Sequence, residues 1–368
     1  MTPLPQLRRI EIKGFKSIEA AQFEVKQLNV LIGANGAGKS NLIAFFRLLF
    51  QLFRGELQWW VSKSGGCASL LRFGPKQTSF IEGKLHVVID NEDYAYEIRL
   101  EPGAGESLFL SREVFSGPKI AAIEGPHELS GLDEAGLRKL AEENEQIAAF
   151  VEQAEAWQTY HFNDTSSLSA VRRSCDIDDN RSLHPEAGNL AAFLYAMEQV
   201  SPKQFDLIRR TVRLVAPFFK DFRLAPDRIH PNRIQLEWTE RGSNSYLNAG
   251  HLSDGTLRFI CLSALLLQPK LPGLIVLDEP ELGLHPSALA ILASMIQIAS
   301  TRSQVILATQ SVTLLEQFAT EDVVVVDRDA HGASTFERLD PQQYASWLED
   351  YSLGELWEKN VLGGRPHP

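Results

Sequence analysis

The stretch GANGAGKS at residues 33–40 restricts the fold of this chain more than any other feature. It matches the pattern G-x-x-x-x-G-K-[ST], whose glycines let the backbone approach phosphate groups closely. The apolar run LNVLI precedes it, and NLIAFFRLLFQLF follows with apolar residues at helical spacing. A strand before and a helix after would direct backbone N–H groups and a helix N-terminus to one point. The stretch therefore predicts a phosphate-binding loop, called the P-loop below, rather than a glycine turn without a ligand.

The P-loop residues have distinct expected roles toward a nucleoside triphosphate. Lys39 should reach the β- and γ-phosphates, and the hydroxyl of Ser40 should bind Mg²⁺. The candidate nucleotide-binding residues of this segment are Gly33, Ala34, Asn35, Gly36, Ala37, Gly38, Lys39, Ser40 and Asn41.

Two adjacent carboxylates end a second apolar run, in LIVLDEPELGLHP at residues 274–286. Ligands of α/β sheets bind at the carboxyl ends of the strands. Asp278 is therefore placed to hold Mg²⁺ together with Ser40, and Glu279 is placed to act as general base on an attacking water. One carboxylate would be an ordinary strand-end charge, but two of them together with a P-loop indicate triphosphate hydrolysis.

The order of elements predicts an α/β protein whose nucleotide-binding layer is split. Residues 7–32 have the pattern of two half-exposed antiparallel strands and one buried strand, and from Ser253 onward helices alternate with buried strands. That alternation is typical of a parallel sheet with crossover helices. Between these parts we expect an antiparallel meander from residue 78, helix over 131–157, two amphipathic helices and a hairpin.

The predicted domains follow from this order. Residues 1–60 and 245–340 would form the split nucleotide-binding domain. Residues 61–244 would form an inserted lobe of β-meander and helices, and residues 341–368 a helical tail.

The order of the motifs resembles that of the ABC-type ATPases of the SMC, RecF and OLD group. The motifs are the P-loop, LSDGT at 252–256, LDEPE with GLHP, and ATQS at 308–311, and IEIKGFKSIE is similar to the group's first hairpin. The segments YHFNDTS, NLAAFLY, LSDGTLRF and SLGELWEKNVLGGRP are similar, over nearly the whole chain, to RecF-like bacterial predicted ATPases. The resemblance implies a P-loop NTPase of ABC-ATPase type with a mixed sheet, an antiparallel β subdomain and an inserted helical lobe. It also implies ATPase activity with ATP and Mg²⁺.

In that group LSDGT would be the signature motif, which faces the γ-phosphate of ATP bound to another subunit. Ser253, Asp254 and Gly255 would then complete an active site in trans, and the protein would be a homodimer with ATP held between its subunits. Residues 283–285 would form the D-loop, with His285 at the dimer interface. From the residues alone, LSDGT is also compatible with a simple helix cap, since Ser and Asp are common N-caps.

Two further positions are assigned through the same resemblance. Lys16, after the phenylalanine of the first hairpin, would contact the nucleotide. Gln310 follows Thr309 where many ABC-type ATPases have a histidine that senses the γ-phosphate. Glutamine donates hydrogen bonds to phosphate or orients water but cannot become cationic, so Gln310 is a candidate catalytic residue of a slower or partner-dependent ATPase. No Q-loop glutamine is assigned.

The remaining acidic, cysteine and histidine residues do not form the pattern of a nuclease domain, a disulfide framework or a metal site. Asp327-Arg328-Asp329 imitates the DxD of a TOPRIM nuclease, but too little sequence follows it for that domain. The cysteines Cys67, Cys175 and Cys261 are too far apart for a CxxC pair or a disulfide framework. The histidines at 161, 184, 230 and 251 share no metal-ligand spacing.

Composition and charge restrict the partners. No apolar run is long enough for a membrane span and the N-terminus lacks a signal-peptide pattern, so we expect a cytoplasmic protein without membrane contact. A net charge of −11 disfavours non-specific DNA binding through broad basic patches. The clusters Arg172-Arg173, Arg209-Arg210 with Arg213, and Arg223 with Arg228 are either solvated faces or a nucleic-acid track.

The sequence as a whole predicts a dimeric switch that binds and hydrolyses ATP. By resemblance, its process would be DNA-linked, such as repair or anti-phage defence. One alternative is an ATPase that regulates a protein effector without binding DNA. A transporter's ATPase subunit is disfavoured, because the chain has a fused opening hairpin and no evident coupling loop for a membrane subunit.

Overall fold

A computed structural model describes residues 6–118, 120–124, 136–142, 144–243 and 245–364. Two six-stranded sheets and the helices around them form most of the fold. The elements are numbered below in chain order.

The first sheet is antiparallel and has the order β2-β1-β4-β5-β6-β7. Its strands are β1 (Gln6–Phe15), β2 (Ile18–Glu24), β4 (Ile81–Ile89), β5 (Glu92–Pro102), β6 (Leu108–Gly117) and β7 (Ile120–Glu124). Burial alternates strictly along β4, as expected when one face of a sheet packs on the core and the other faces solvent.

The second sheet is parallel except at one edge and has the order β17-β16-β3-β15-β14-β8. Its strands are β3 (Leu28–Ile32), β8 (Gln158–Tyr160), β14 (Leu274–Asp278), β15 (Gln304–Ala308), β16 (Val323–Arg328) and the antiparallel β17 (Ser334–Arg338). Small sheets are formed by β9 (Cys175–Asp176) with β11 (Arg233–Ile234), and by β10 (Phe219–Arg223), β12 (Glu237–Glu240) and β13 (Tyr246–Asn248).

Helices cover both faces of the parallel sheet. The described α-helices are α1 (Lys39–Arg54), α2 (Leu57–Lys63), α3 (Cys67–Leu70), α4 (Leu137–Ala141), α5 (Glu145–Ala156), α6 (Leu190–Val200), α7 (Pro202–Val215), α8 (Asp254–Leu266), α9 (Pro286–Ser300), α10 (Val312–Leu315), α11 (Pro341–Leu348) and α12 (Leu353–Glu358). None of the described helices is both long and apolar enough to cross a membrane.

The parallel sheet separates two hydrophobic cores. Helix α1 is buried on most sides in the core between the two sheets, where the Phe45 ring packs edge-on against Phe15 at 5.2 Å. Leu31 of β3 faces this core, whereas Val30 and Ile32 face the core under α6 to α9. A strand covered on both faces needs an apolar residue at every position, which explains the continuous run LNVLI apart from Asn29.

The structure confirms the predicted opening hairpin, the buried strand, the meander, the amphipathic helices and the alternation of helices with strands. The helical region predicted over 131–157 consists of two helices, since α4 ends at Ala141 and Asn144 caps α5; residues 131–135 and 143 lie outside the described residues.

Two strand pairings join segments that were predicted to lie in different domains. Strand β1 pairs with β4, so the opening hairpin and the meander share one sheet. Strand β8, from the middle of the chain, pairs with β14 at the edge of the parallel sheet.

Candidate functional site

The P-loop lies between the carboxyl end of β3 and helix α1. A Cβ atom at Gly33, where φ is +152°, would overlap the backbone oxygen of Val326 on β16. A Cβ atom at Gly38, where φ is +125°, would overlap the Ser334 hydroxyl on β17. Both glycines are therefore required by the close approach of neighbouring strands, in addition to their backbone conformation.

The ammonium group of Lys39 is buried inside the P-loop. Its Nζ atom donates hydrogen bonds to the carbonyl oxygens of Gly33 (2.5 Å) and Ala34 (3.1 Å). Burial lowers the pKa of Lys39, and the carboxylates of Glu279, Asp278 and Glu281 act in the opposite direction. A buried cation thus faces several carboxylates across the mouth of the loop.

Asp278 and Glu279 follow one another at the carboxyl end of β14. Burial raises the pKa of Asp278, the charge of Glu279 raises it further, and Arg47 and Lys39 oppose the shift. Glu279 has a φ of +46°, a strained conformation for a residue with a side chain, and its N–H donates to the oxygen of Ala308 (2.9 Å). The chain therefore leaves the strand conformation directly after Asp278, the last residue of β14.

A hydrogen-bonded group next to Glu279 includes the predicted Gln310. The Gln310 side-chain amide donates a short hydrogen bond to Glu279 Oε1. Glu281 Oε1 accepts hydrogen bonds from the Thr309 hydroxyl (2.5 Å) and from the backbone N–H of Gln310 (3.1 Å). Glu281 therefore fixes the turn on which Gln310 stands. Glu281 is not among the residues predicted from the sequence, although it is the third carboxylate of LDEPE.

The turn of the first hairpin lies against the start of α1. The Ser17 hydroxyl accepts a hydrogen bond from the Asn41 amide (2.5 Å) and pairs with the Ser334 hydroxyl (2.6 Å). Lys16, with φ +48°, is at the tip of this turn, and burial together with the charge of Arg47 lowers its pKa. Lys16 is thus held next to the P-loop helix, whereas the Asn41 amide is already bonded to the hairpin.

The signature-like segment caps helix α8. Ser253 Oγ accepts the Thr256 N–H (3.2 Å), so the helix-cap alternative describes what Ser253 does within one chain. A Cβ atom on Gly255 would overlap the backbone oxygen of Gly283, so a glycine is needed for the contact with the D-loop segment. In the part of the chain that the structure describes, no hydrogen bond joins 252–256 to the P-loop.

Arg172 holds the signature-like segment in place. Its guanidinium has a side-chain exposure of only 8% and pairs with the exposed Asp254 at 2.7 Å. It also donates to the backbone oxygens of Ala249 and Leu252. Arg172 therefore belongs neither to a solvated face nor to a nucleic-acid track.

His161 lies closer to the site than its sequence position suggested. Tyr160 of β8 is in register with Leu277 of β14, so the next residue, His161, reaches the sheet edge at which Asp278 lies. Burial lowers the pKa of His161, and the charges of Arg47, Arg258 and Glu279 act on it as well. No local sequence signal indicates this proximity, because it depends on β8 joining the sheet.

Other predicted features are not brought into a metal or nucleic-acid site. No group of three or more His, Cys, Asp or Glu side chains among the described residues is arranged to hold a metal ion. On α7, Arg209 and Arg210 pair with Asp206 at 2.6 Å, and Arg209 also pairs with Asp221 at 2.9 Å. These carboxylates neutralise that basic cluster locally.

Comparisons with known proteins agree with this geometry. Residues 28–316, well over half of the chain, match a family model described as "AAA domain, putative AbiEii toxin, Type IV TA system". The fold is similar to a solved SmcHead bound to the C-winged helix domain of ScpA (TM-score 0.62, 16% identity, covering 94% of this chain and 100% of that chain). It is also similar to the Pyrococcus furiosus Smc head domain with an extended coiled coil bound to the C-terminal domain of ScpA (TM-score 0.55, 15% identity, 94% and 99%). No curated protein matches the chain.

These likenesses confirm the predicted fold class. The chain is an α/β protein with the P-loop NTPase fold of ABC type, in which a mixed sheet and an antiparallel sheet enclose α1.

Proposed function

The chain belongs to the AAA-domain family whose model it matches, and from this premise we propose that it is a molecular switch that binds and hydrolyses ATP. The main support is that the predicted site residues lie together at one edge of the parallel sheet. The P-loop, the Asp278–Glu279 pair and Gln310 meet at the carboxyl edge of the adjacent parallel strands β3, β15 and β14. This is the edge at which α/β proteins bind ligands.

Different residues of this site would bind the triphosphate, activate the water and orient it. The P-loop N–H groups and Lys39 bind the triphosphate. Glu279 takes the proton of a water whose oxygen forms a new bond to the γ-phosphorus, and the bond to the β–γ bridging oxygen breaks, which yields ADP and phosphate. The Gln310 amide, now bonded to Glu279, orients that water or the γ-phosphate.

The donor set also fits Mg²⁺. Burial raises the pKa of Asp278, so an unpaired negative charge is unfavourable there and a bound cation would relieve it. Ser40 is exposed at the start of α1 and would provide a hydroxyl ligand, with Asp278 as the carboxylate ligand. One carboxylate and one hydroxyl, completed by phosphate oxygens and water, is a typical Mg²⁺ donor set. The ion would neutralise charge on the β- and γ-phosphates.

We further propose that ATP closes a homodimer. Asp254 is exposed, and Ser253 and Gly255 stand at the N-terminus of the long helix α8, where an anion from another subunit would be stabilised. The test is the mass of the Glu279→Gln variant, which should hold ATP without turning it over. Light scattering should show the mass doubling with ATP and Mg²⁺ but not with ADP. A monomer at saturating ATP would contradict the sandwich arrangement.

The process that the switch serves has two candidates. DNA-linked work is favoured by the likeness to the SMC, RecF and OLD group, whereas regulation of a protein effector is favoured by two observations. The family description names a toxin of a toxin–antitoxin system, and carboxylates pair with the α7 arginines.

The ATPase rate separates these candidates when it is measured with and without double-stranded DNA at several salt concentrations. Stimulation that declines steeply with salt supports direct DNA binding through phosphate contacts. An unchanged rate, with no salt-sensitive binding, removes the DNA hypothesis and leaves the effector.

A further inference from the structure

The segment Leu353–Gly364, called the tail segment below, folds back onto the P-loop. It begins with α12, which has a capping box between Ser352 and Glu355. It ends with Gly363 and Gly364, whose φ angles are +80° and +77°. Gly364 is buried against the P-loop, more than three hundred residues away in sequence.

The contact between the tail segment and the P-loop is a backbone hydrogen bond. The Ala34 N–H donates to the Gly364 carbonyl oxygen at 2.5 Å. The Gly364 N–H in turn donates to Asp327 Oδ2 at 3.2 Å. Asp327 thus holds Gly364, the residue whose carbonyl oxygen accepts the Ala34 N–H of the P-loop.

Limited space and backbone conformation both favour a glycine at 364. A Cβ atom there would lie 3.0 Å from Val325 Cγ1 and 3.3 Å from the Cα atom of Gly33, both tighter than ordinary contact. The positive φ angle adds a conformational penalty for any other residue. The tail segment therefore touches the first two P-loop residues with no space to spare.

A neighbouring side chain holds the other side of the same loop. Arg328 Nε donates to the Gly36 carbonyl oxygen at 2.7 Å. The end of β16 thus supplies both Asp327, which positions Gly364, and Arg328, which holds Gly36. The motif that imitates a nuclease DxD therefore contacts the P-loop directly at Gly36 and, through Gly364, at Ala34.

The tail segment is itself firmly anchored. Leu356 and Trp357 are buried in the same core as Leu314 and Leu315 of α10. Gly354 packs so closely on α10 that a Cβ atom would lie 2.6 Å from Val312 Cγ1. Helix α10 begins at Val312, two residues after Gln310, so the tail segment contacts both the P-loop and the helix that follows Gln310.

We propose that Gly364, Asp327 and Arg328 are positioning residues that hold the P-loop in its phosphate-binding conformation before nucleotide arrives. This inference rests on the proposed ATP binding for its consequence, but the geometry concerns the free protein. A loop that is already ordered loses less conformational entropy when its ligand binds. Loss of one hydrogen bond of ordinary strength corresponds to about a threefold to tenfold loss of affinity.

The test compares Gly364→Ala with Gly242→Ala in the full chain. Gly242 has a φ of +81° with no atom near a built Cβ, so its substitution adds the same backbone strain without touching the P-loop. Hydrogen–deuterium exchange of the free proteins should show the Ala34 amide exchanging about tenfold or more faster in Gly364→Ala, and unchanged in Gly242→Ala. Unchanged exchange at residues 33–36 in Gly364→Ala would overturn the proposal whether or not ATP binds.

A fluorescent ATP analogue then measures the consequence. Gly364→Ala should bind it about threefold to tenfold more weakly than wild type, while Gly242→Ala binds normally. Equal weakening in both variants, in parallel with their melting temperatures, would mean a general loss of stability and would overturn a positioning role. If wild type itself does not bind the analogue, the proposed function fails, and the exchange measurement alone decides the role of the tail segment.

Discussion

Substitution of Glu279 by Gln separates hydrolysis from binding at this site. The amide keeps the size of the side chain but cannot take a proton from water. A positioned general base typically contributes about 10²- to 10⁴-fold to a rate, which is about 3–5 kcal/mol of activation free energy. We therefore expect kcat to fall by at least about 100-fold.

Binding of ATP should change little in the same variant. The substituted amide oxygen still accepts the hydrogen bond of Gln310, so only the charge-assisted part of that contact is lost, roughly 1 kcal/mol. Removal of the carboxylate also takes away the negative charge that acts most strongly to raise the pKa of Lys39. The loop then becomes more positive toward an anionic ligand, and we expect the Kd for ATP to be equal to or lower than that of wild type.

Stopped-flow phosphate release and equilibrium titration with a fluorescent ATP analogue measure the two quantities independently. Glu152→Gln, which removes an exposed carboxylate of α5, is the matched control and should leave both unchanged. A wild-type kcat in Glu279→Gln would refute the role of Glu279 as base. A large loss of affinity with an unchanged kcat would show that its charge serves binding instead.

Three other substitutions test separate parts of the structure. Ser253→Arg should leave ATP binding by the monomer intact and abolish turnover, because the bulky cation blocks closure; unchanged turnover in a phosphate-release assay would leave Ser253 as a helix cap only. Thr309→Val should lower kcat about tenfold at constant Kd, since Glu281 then holds the turn of Gln310 by one hydrogen bond instead of two. Glu113→Gln should make the stability of the fold less dependent on pH. Burial raises the pKa of Glu113 above 4.5, so the folded state binds a proton more tightly than the unfolded state. In wild type the free energy of unfolding therefore falls as pH rises from about 4.5 through the folded pKa. Chemical denaturation at several pH values measures this, and an unchanged profile in the variant would contradict it.

Local sequence patterns were sufficient for the parts of the fold that local physics determines. The run LNVLI predicted a strand covered on both faces, and β3 faces two cores. The P-loop and the carboxylates after LIVL were expected at one sheet edge, where parallel strands bring their carboxyl ends together. The roles of these residues stay predictions until activity is measured.

Contacts between residues far apart in the sequence determine the features that could not be predicted. The three residues of β8 are too few for a periodic signal, so neither their place beside β14 nor the approach of His161 to the site was predictable. The hydrogen bond from Ala34 to the carbonyl oxygen of Gly364 joins residues more than three hundred positions apart, so no local pattern predicts it. Arg172 stood in a basic pair that has the pattern of a solvated surface, and only its pairing with Asp254 shows that it holds the signature-like segment.

Single-turnover phosphate release tests the central claim most directly. Wild type in excess over Mg²⁺·ATP should release phosphate, and Lys39→Ala, which lacks the buried ammonium group of the P-loop, should release it at least about 100-fold more slowly. Equal release by the two proteins would mean that the P-loop does not hydrolyse ATP and would contradict the account.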